Sequence, residues 1–412
     1  MRRVVISGIG LIGPTGIGLD PFWSALVEGR CAIERITRFD PSTYPCQVGG
    51  EVRDRAYETV LDPRTLRTTA HATQLALAAT HYALEAARLP ADGAAGPSAG
   101  VSLGTALGGG REAEQQHSIL LERGLRRVNP FIANGTPAHA AAAEVASALH
   151  AQGAQVTFST GCAASLQAIA CGATLVATGE LDVCVAGGTD SPLTPMVIAG
   201  MSRTQELSTL NDTPHRACCP FDRRHAGLVL SEGSCVTVLE PLERALRRGV
   251  TPWAEVRGGA TSCDGRGLYS FDPTGEPGAR AIGWLLDRLG LAAGDVDYVC
   301  AHANSSPAFD RKEATVLTRA FGAAVARLPV SSIKGVLGHP FGASGAFQVA
   351  TACLALQRGL IPPTHNLEEP DPACALDCVA GAPRPASLRH TLVTNYGYGG
   401  VNAYLMLSRP QP

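Results

Sequence analysis

A chain of 412 residues, 45% apolar and 17% charged, can bury a large core, as two or three units or one large α/β body. A formal net charge of −2 excludes the strong basic excess of a nucleic-acid binder. No run approaches the roughly 20 apolar residues of a bilayer span, and the start Met1–Gly8 lacks the apolar core of a signal peptide, so neither membrane nor export is expected.

Thirteen cysteines, an odd number with no Cys-x-x-Cys pair, read as reduced thiols in a cytoplasm. Cys374 and Cys378 stand apart from any histidine, so no metal is expected. Of 34 basic residues only Lys312 and Lys334 are lysines, which reads as codon bias without functional content.

In chain order, short β-rich runs alternate with Ala-rich helical stretches, the pattern of an α/β protein. Residues 3–7 read as a buried strand, 21–28 as a helix, 69–88 as a long helix and 100–104 as a second strand. The alanine-dense helix expected over 138–149 has small residues all round, which places it in the interior or at a subunit interface. Residues 154–179 read as strand, tight turn and apolar helix, followed by strands at 183–186 and 235–239. A boundary near 247–251 divides the chain into halves, 1–250 and 251–412. The second half repeats the theme, with strands at 253–258, 298–301, 330–333 and 392–395.

Gly8-Ile-Gly-Leu-Ile-Gly13 matches the dinucleotide fingerprint, but Pro14, Thr15 and Gly16 leave no helix to receive a pyrophosphate. The glycines read instead as a turn that lets a strand and a helix pack closely.

Thr157-Phe-Ser-Thr-Gly-Cys162-Ala-Ala-Ser-Leu166 carries the most chemistry. A strand ends, small residues turn, and a helix begins at the cysteine, aiming backbone N–H groups and the positive helix end at its sulfur. This favours a thiolate and offers donors to an oxyanion. Cys171, Cys184 and Cys353 read as buried structural cysteines. Two histidines have comparable settings. His302 follows the strand Tyr298-Val-Cys-Ala, and His339 stands in the glycine-framed loop Lys334-Gly-Val-Leu-Gly338-His339-Pro-Phe-Gly-Ala-Ser-Gly345.

These segments, in this order and spacing, resemble the active-site cysteine and the two histidine motifs of the β-ketoacyl synthases. The terminal Asn395-Tyr-Gly-Tyr-Gly-Gly-Val-Asn402 is similar to the family's glycine–aromatic loop. Ser7-Gly-Ile-Gly10, Gly104-Thr-Ala-Leu-Gly-Gly109, Ala186-Gly-Gly-Thr189 and Pro220-Phe-Asp222 with Glu232-Gly233 also fit, so the likeness covers the whole chain.

The resemblance implies a thiolase-like fold, two related α/β halves in an αβαβα layered arrangement. It implies an acyltransferase with no bound cofactor, working on chains carried by the phosphopantetheine of an acyl carrier protein. Cys162 would take the acyl chain. His302 and His339 would promote decarboxylation of malonyl-carrier, as two neutral imidazoles able to donate to one thioester oxygen. Backbone N–H groups of Cys162 and Tyr396 would form the oxyanion hole, and Lys334 would orient the histidine region. Asn304, Ser305, Ser306, Phe341 and Tyr398 would line the pantetheine and acyl path, with Asp310, Glu313 and Gln348 supporting the site. Arg64, Arg67, Arg126, Arg127 and Arg203 are candidates for docking an acidic carrier.

Four features depart from the family pattern. Ala303-Asn304-Ser305-Ser306 replaces the usual Gly-Thr-Gly-Thr or Gly-Thr-Ser-Thr, Gln348 a glutamate, His225-Ala226-Gly227-Leu228 an Arg-Asp-Gly-Phe, and Tyr396 and Tyr398 two phenylalanines. Gln348 leaves Lys334 without one expected carboxylate, and the tyrosines bring hydroxyls to the acyl entrance. The departures point to a specialised ketosynthase of a dissociated polyketide system. Alternatives are a housekeeping fatty-acid synthase, a non-elongating acyltransferase, and a non-catalytic chain-length factor, which would lack the nucleophile. The expected assembly is a homodimer or a heterodimer with a chain-length factor.

Overall fold

The computed structural model describes residues 1–90 and 96–411. Its core is a mixed sheet, twelve-stranded among the described residues. The first half contributes Val4–Gly13, Ala99–Gly104, Gln155–Phe158, Val183–Asp190 and Gly233–Pro241. In space these lie in the order third, second, fourth, fifth, first. The second half contributes Ala254–Cys263, Tyr298–Cys300, Pro329–Ser331, His390–Gly397 and Val401–Ser408, which lie in the same order, with Asp377–Cys378 added at the edge. The pairing senses also agree. The second strand of each half is parallel to its third and fourth, and the fifth is antiparallel to the fourth and first. The halves join where Val5 faces Glu255 and Ile6 faces Ala254.

Period-two alternation gives each strand two apolar faces, and helices cover both. Leu392 and Met406 face an outer core shared with Ile282 and Leu285 of helix Glu276–Leu289. Val393, Leu405 and Leu407 face a middle core shared with the helices Ala164–Thr178 and Ser344–Arg358. On the other side, Val101, Leu103, Val236 and Val238 meet helices His71–Ala86 and Ala140–Ala148. The result is the five-layered α/β arrangement of the thiolase-like fold.

Three expectations change. Residues 8–13 do not turn; the strand runs unbroken from Val4 to Gly13, with a register shift between Ile6 and Gly8. The glycines are there because helix His71–Ala86 lies on the strand. A Cβ on Gly8 would fall 2.1 Å from the Ala83 carbonyl oxygen, and one on Gly10 only 1.8 Å from that of Ala79. Second, helix Ala140–Ala148 is not in the interior of this chain: Ala140, Ala141, Ala142 and Val145 are buried, while Glu144 and Ser147 are exposed, so of the two expected placements only the subunit interface remains. The helix buried through nearly its whole length is Ser344–Arg358, in the middle layer. Third, the C-terminal strand Val401–Ser408 was not anticipated. By length and composition Gly161–Thr178 could match a membrane span, yet its helix packs against strands of both halves in the middle layer.

The topology fixes where chemistry gathers. The third strand of each half runs into a middle helix, and the two middle helices pack against each other. Their N-terminal ends bring the loop carrying Cys162 against the loop that follows His339.

Candidate active site

Cys162 sits in the 3-10 turn Gly161–Ala163, one turn before the α-helix that starts at Ala164. Gly161 has φ +61°, the left-handed conformation that lets the chain reverse between strand and helix. The sulfur lies 3.0 Å from Nε2 of His339. His339 is held by its backbone, its N–H donating to Val229 O at 2.7 Å and its carbonyl accepting from the Ser231 N–H at 3.0 Å. The ring of His302 stands edge-on to His339, centroids 5.3 Å apart at 85°. One sulfur and two imidazoles from remote segments therefore share one buried centre.

Burial decides the protonation states. It pushes the Cys162 thiol up to about 12, and the Lys334 charge, which pulls the other way, does not offset it. Both histidines are driven well below the 6.5 of free imidazole, first by burial and then by the Lys334 charge. The resting pair is a thiol beside a neutral imidazole. Burial therefore opposes the thiolate that the helix end and Lys334 favour.

A second layer holds His302. Its backbone N–H donates to Glu313 Oε1 at 3.1 Å, the Ala303 N–H donates to Glu313 Oε2 at 2.6 Å, and the Thr394 hydroxyl also donates to Glu313. Lys334 Nζ donates to the His302 carbonyl oxygen. Burial raises Glu313 and lowers Lys334, and each charge pulls the other back, so the two form one buried coupled pair. Glu313 thus supplies the carboxylate field that Gln348 cannot. Gln348 joins a neutral network instead: its Oε1 accepts from Asn395 Nδ2 at 2.6 Å, and its Nε2 donates to Cys300 O and Thr394 O.

The segment 303–306 is buried against the site. Asn304 reaches the His302 ring, with Nδ2 3.3 Å from Nε2. Ser305, at φ +73°, turns its hydroxyl to accept from the Cys219 N–H at 3.1 Å. Asp310 holds this loop, accepting from the N–H groups of Asn304 and Ser305 and of Phe221. His225 lies between Asp310 and Asp371, at 3.0 and 3.1 Å. A stack of rings leads outward from His302 through Phe309 and Tyr398 to the exposed Tyr269, with successive centroids 5.2, 5.2 and 5.9 Å apart. Tyr398 thus stands half-buried between the buried Phe309 and the exposed Tyr269. Tyr396 is fully buried, its ring 5.7 Å from His302, so its hydroxyl does not face an open entrance. The Phe341 ring packs on His339 at 5.7 Å.

Three residues outside the expected set belong to this centre. Asn395 touches His302 Nδ1 at 3.0 Å. Asp190, buried and pushed up to about 6, accepts from the N–H groups of Ala106, Leu107 and Gly342 and staples two loops beside Cys162. Lys312 is buried on Asp264 at 2.6 Å, with Nζ over the rings of Phe271 and Tyr396. The composition held a signal for Lys312, since both lysines of this arginine-rich chain lie buried at or beside the site. The carrier-docking candidates stand apart from the centre. Arg64, Arg67, Arg126, Arg127 and Arg203 are all exposed and, among the described residues, outside any ion pair.

A family model described as beta-ketoacyl synthase, N-terminal domain, matches residues 1–245, and the corresponding C-terminal domain matches 253–368. The chain is 36% identical over 408 residues to a 3-oxoacyl-[acyl-carrier-protein] synthase 2 of Coxiella burnetii, covering 99% of each. It is 37% identical over 417 residues to the tetracenomycin polyketide synthase ketoacyl synthase alpha subunit of Streptomyces glaucescens, covering 100% of this chain and 98% of that one. The solved ishigamide ketosynthase/chain length factor superposes with a TM-score of 0.93 at 29% identity, covering all of both chains.

Proposed function

The chain belongs to the β-ketoacyl synthase family, and on that premise we propose that it extends a carrier-bound acyl chain by decarboxylative Claisen condensation with malonyl-[acyl carrier protein]. Cys162 is the nucleophile. Its thiol proton passes to His339 Nε2 as sulfur attacks the acyl thioester. The tetrahedral oxyanion rests on the backbone N–H groups of Cys162 and Tyr396, and His339 returns the proton to the departing pantetheine thiol. Each such donor typically lowers a barrier by roughly 3 kcal/mol. Malonyl-carrier then enters beside His302 and His339 and loses carbon dioxide. The resulting enolate carbon attacks the acyl-Cys162 carbonyl, and the Cys162 thiolate leaves.

The observation that carries this reading is the 3.0 Å contact between Cys162 Sγ and a His339 ring held neutral by burial. A neutral ring can take the thiol proton; a protonated one cannot. The pantetheine arm runs along the Tyr269–Tyr398–Phe309 stack, past Asn304, Ser305 and Ser306, with Phe341 beside His339 at the acyl site. Lys334, Glu313, Gln348 and Asp310 hold the histidine loops in place. The acidic carrier docks on Arg64, Arg67, Arg126, Arg127 and Arg203. Residues 1–250 supply the nucleophile and residues 251–412 the histidines. The assembly is a pair of such chains, or one chain with a chain-length factor, working in the cytoplasm. The departures at 304 and 348 favour polyketide assembly over housekeeping fatty-acid synthesis.

Intact-protein mass spectrometry after incubation with an acyl-carrier donor tests the assignment. One acyl group is expected on the wild-type chain and none on a folded Cys162→Ala variant. Loading of that variant would remove Cys162 from the mechanism.

A further inference from the structure

Two departures from the family pattern, Asn304 and Gln348, reach the same imidazole from opposite sides. Gln348 is fully buried, with its amide nitrogen 3.1 Å from Cys300 O and 3.0 Å from Thr394 O. Both neighbours are main-chain carbonyls and can only accept, so the NH2 group must face them and Oε1 must face away. Oε1 lies 2.6 Å from the Asn395 amide, which must therefore present its nitrogen there. That leaves Asn395 Oδ1 on His302 Nδ1, at 3.0 Å. An acceptor in that place requires hydrogen on Nδ1.

The other side gives the same answer independently. The Ser306 backbone N–H, 3.1 Å away, can only donate and so holds Asn304 Oδ1. The Asn304 Nδ2 group is thereby turned to within 3.3 Å of His302 Nε2. A donor in that place requires a lone pair on Nε2. Each chain of bonds ends on main-chain groups that cannot reverse their roles, and both specify one tautomer.

We infer that Asn304 and Gln348, the latter through Asn395, are positioning residues that lock His302 as its Nδ1–H tautomer, so that Nε2 meets substrate as a proton acceptor and not as an N–H donor. The inference rests on the condensing-enzyme reading for its meaning, and it replaces the expectation that both rings donate alike. The charged and titratable groups around the ring agree with a neutral His302. Lys334 on 334–337, Lys312 on helix Pro307–Phe321 and the neighbouring His339 all oppose a second proton, and Glu313 is occupied by the backbone N–H groups of His302 and Ala303. On this reading both neutral rings present an unprotonated Nε2, His339 to the Cys162 thiol and His302 to the malonyl group.

Long-range proton–nitrogen correlation spectra of full-length protein labelled with nitrogen-15 in its histidine rings read the tautomer directly. The His302 signal is assigned by its loss in His302→Ala. The wild type should show a neutral ring protonated on Nδ1 throughout the neutral pH range. Asn304→Asp, of the same shape, puts an acceptor where a donor stood. It should draw a proton onto Nε2 and raise the acid limb of malonyl-carrier decarboxylation by ~1 pH unit or more. A wild-type ring protonated on Nε2 would overturn the inference without recourse to any variant. An unchanged ring pattern in folded Asn304→Asp would overturn it too. Carbon dioxide release, measured on the same wild-type sample, separates the two readings: a correct tautomer without release sinks condensation and leaves the lock standing.

Discussion

A thiol that burial pushes up to about 12 is a poor nucleophile until a base removes its proton, so Cys162 depends on His339. His339→Ala should slow acyl loading by roughly 10²- to 10⁴-fold while the fold is retained, as measured by rapid-quench mass spectrometry. The pH dependence carries a definite sign. The folded His339 binds its proton only well below 6.5, so the base form persists as pH falls through 6.5. The acid limb of the loading rate should therefore lie below pH 6.5, and a limb at or above 6.5 would contradict the burial argument. Lys334 and Glu313 can be separated by a double-mutant cycle. Lys334→Met leaves Glu313 buried without its countercharge and should cost about 3 kcal/mol in urea unfolding, whereas adding Glu313→Gln should recover part of that loss. Cys162 and His302 were legible in the sequence because each follows the end of a strand, and His339 because glycines frame its loop before an apolar helix. Asn395 and Asp190 were not, because their partners arrive from distant segments and nothing local distinguishes them; Lys312 was marked only by the scarcity of lysine. Gln348 was visible only as a departure, and its reach through Asn395 to His302 needed the fold.

At the scale of elements, the sequence patterns identified the alternation of strands and helices better than their ends. Strand Val4–Gly13 is the instructive miss. Three glycines in six residues read as a turn, because glycine's freedom is a local property. The close strand–helix packing expected of them is present, but it needs no turn: the helix backbone lies directly on the unbroken strand. Gly10→Ala puts a methyl group where the Ala79 carbonyl sits and should destabilise the protein by about 1–3 kcal/mol or more in denaturant titration. A cost within error of zero would mean that helix His71–Ala86 packs less closely than described. For the alanine-rich helix Ala140–Ala148 it is the interior placement that fails, and the subunit interface remains. Small residues permit burial on all sides but do not require it, and this helix lies in the outer layer.

Across the whole molecule, the repeated strand order makes one site from two half-sites. Each half sends its third strand into a middle helix, so Cys162 and the loop following His339 meet at corresponding points of the two halves. The second strand of the second half then delivers His302. No residue-level repeat exposed this duplication, because identical topology constrains apolar spacing and not identity. The architecture accounts for a buried thiol, its base and a second imidazole in one water-poor centre, the combination suited to making a carbanion equivalent and using it at once. The most direct test incubates the acylated enzyme with malonyl-carrier labelled in its free carboxyl group, and follows labelled carbon dioxide and the mass of the carrier-bound product. The account predicts one carbon dioxide released for each chain extended by a two-carbon unit. Transfer of the acyl chain to the carrier unchanged, with the label retained, would contradict it.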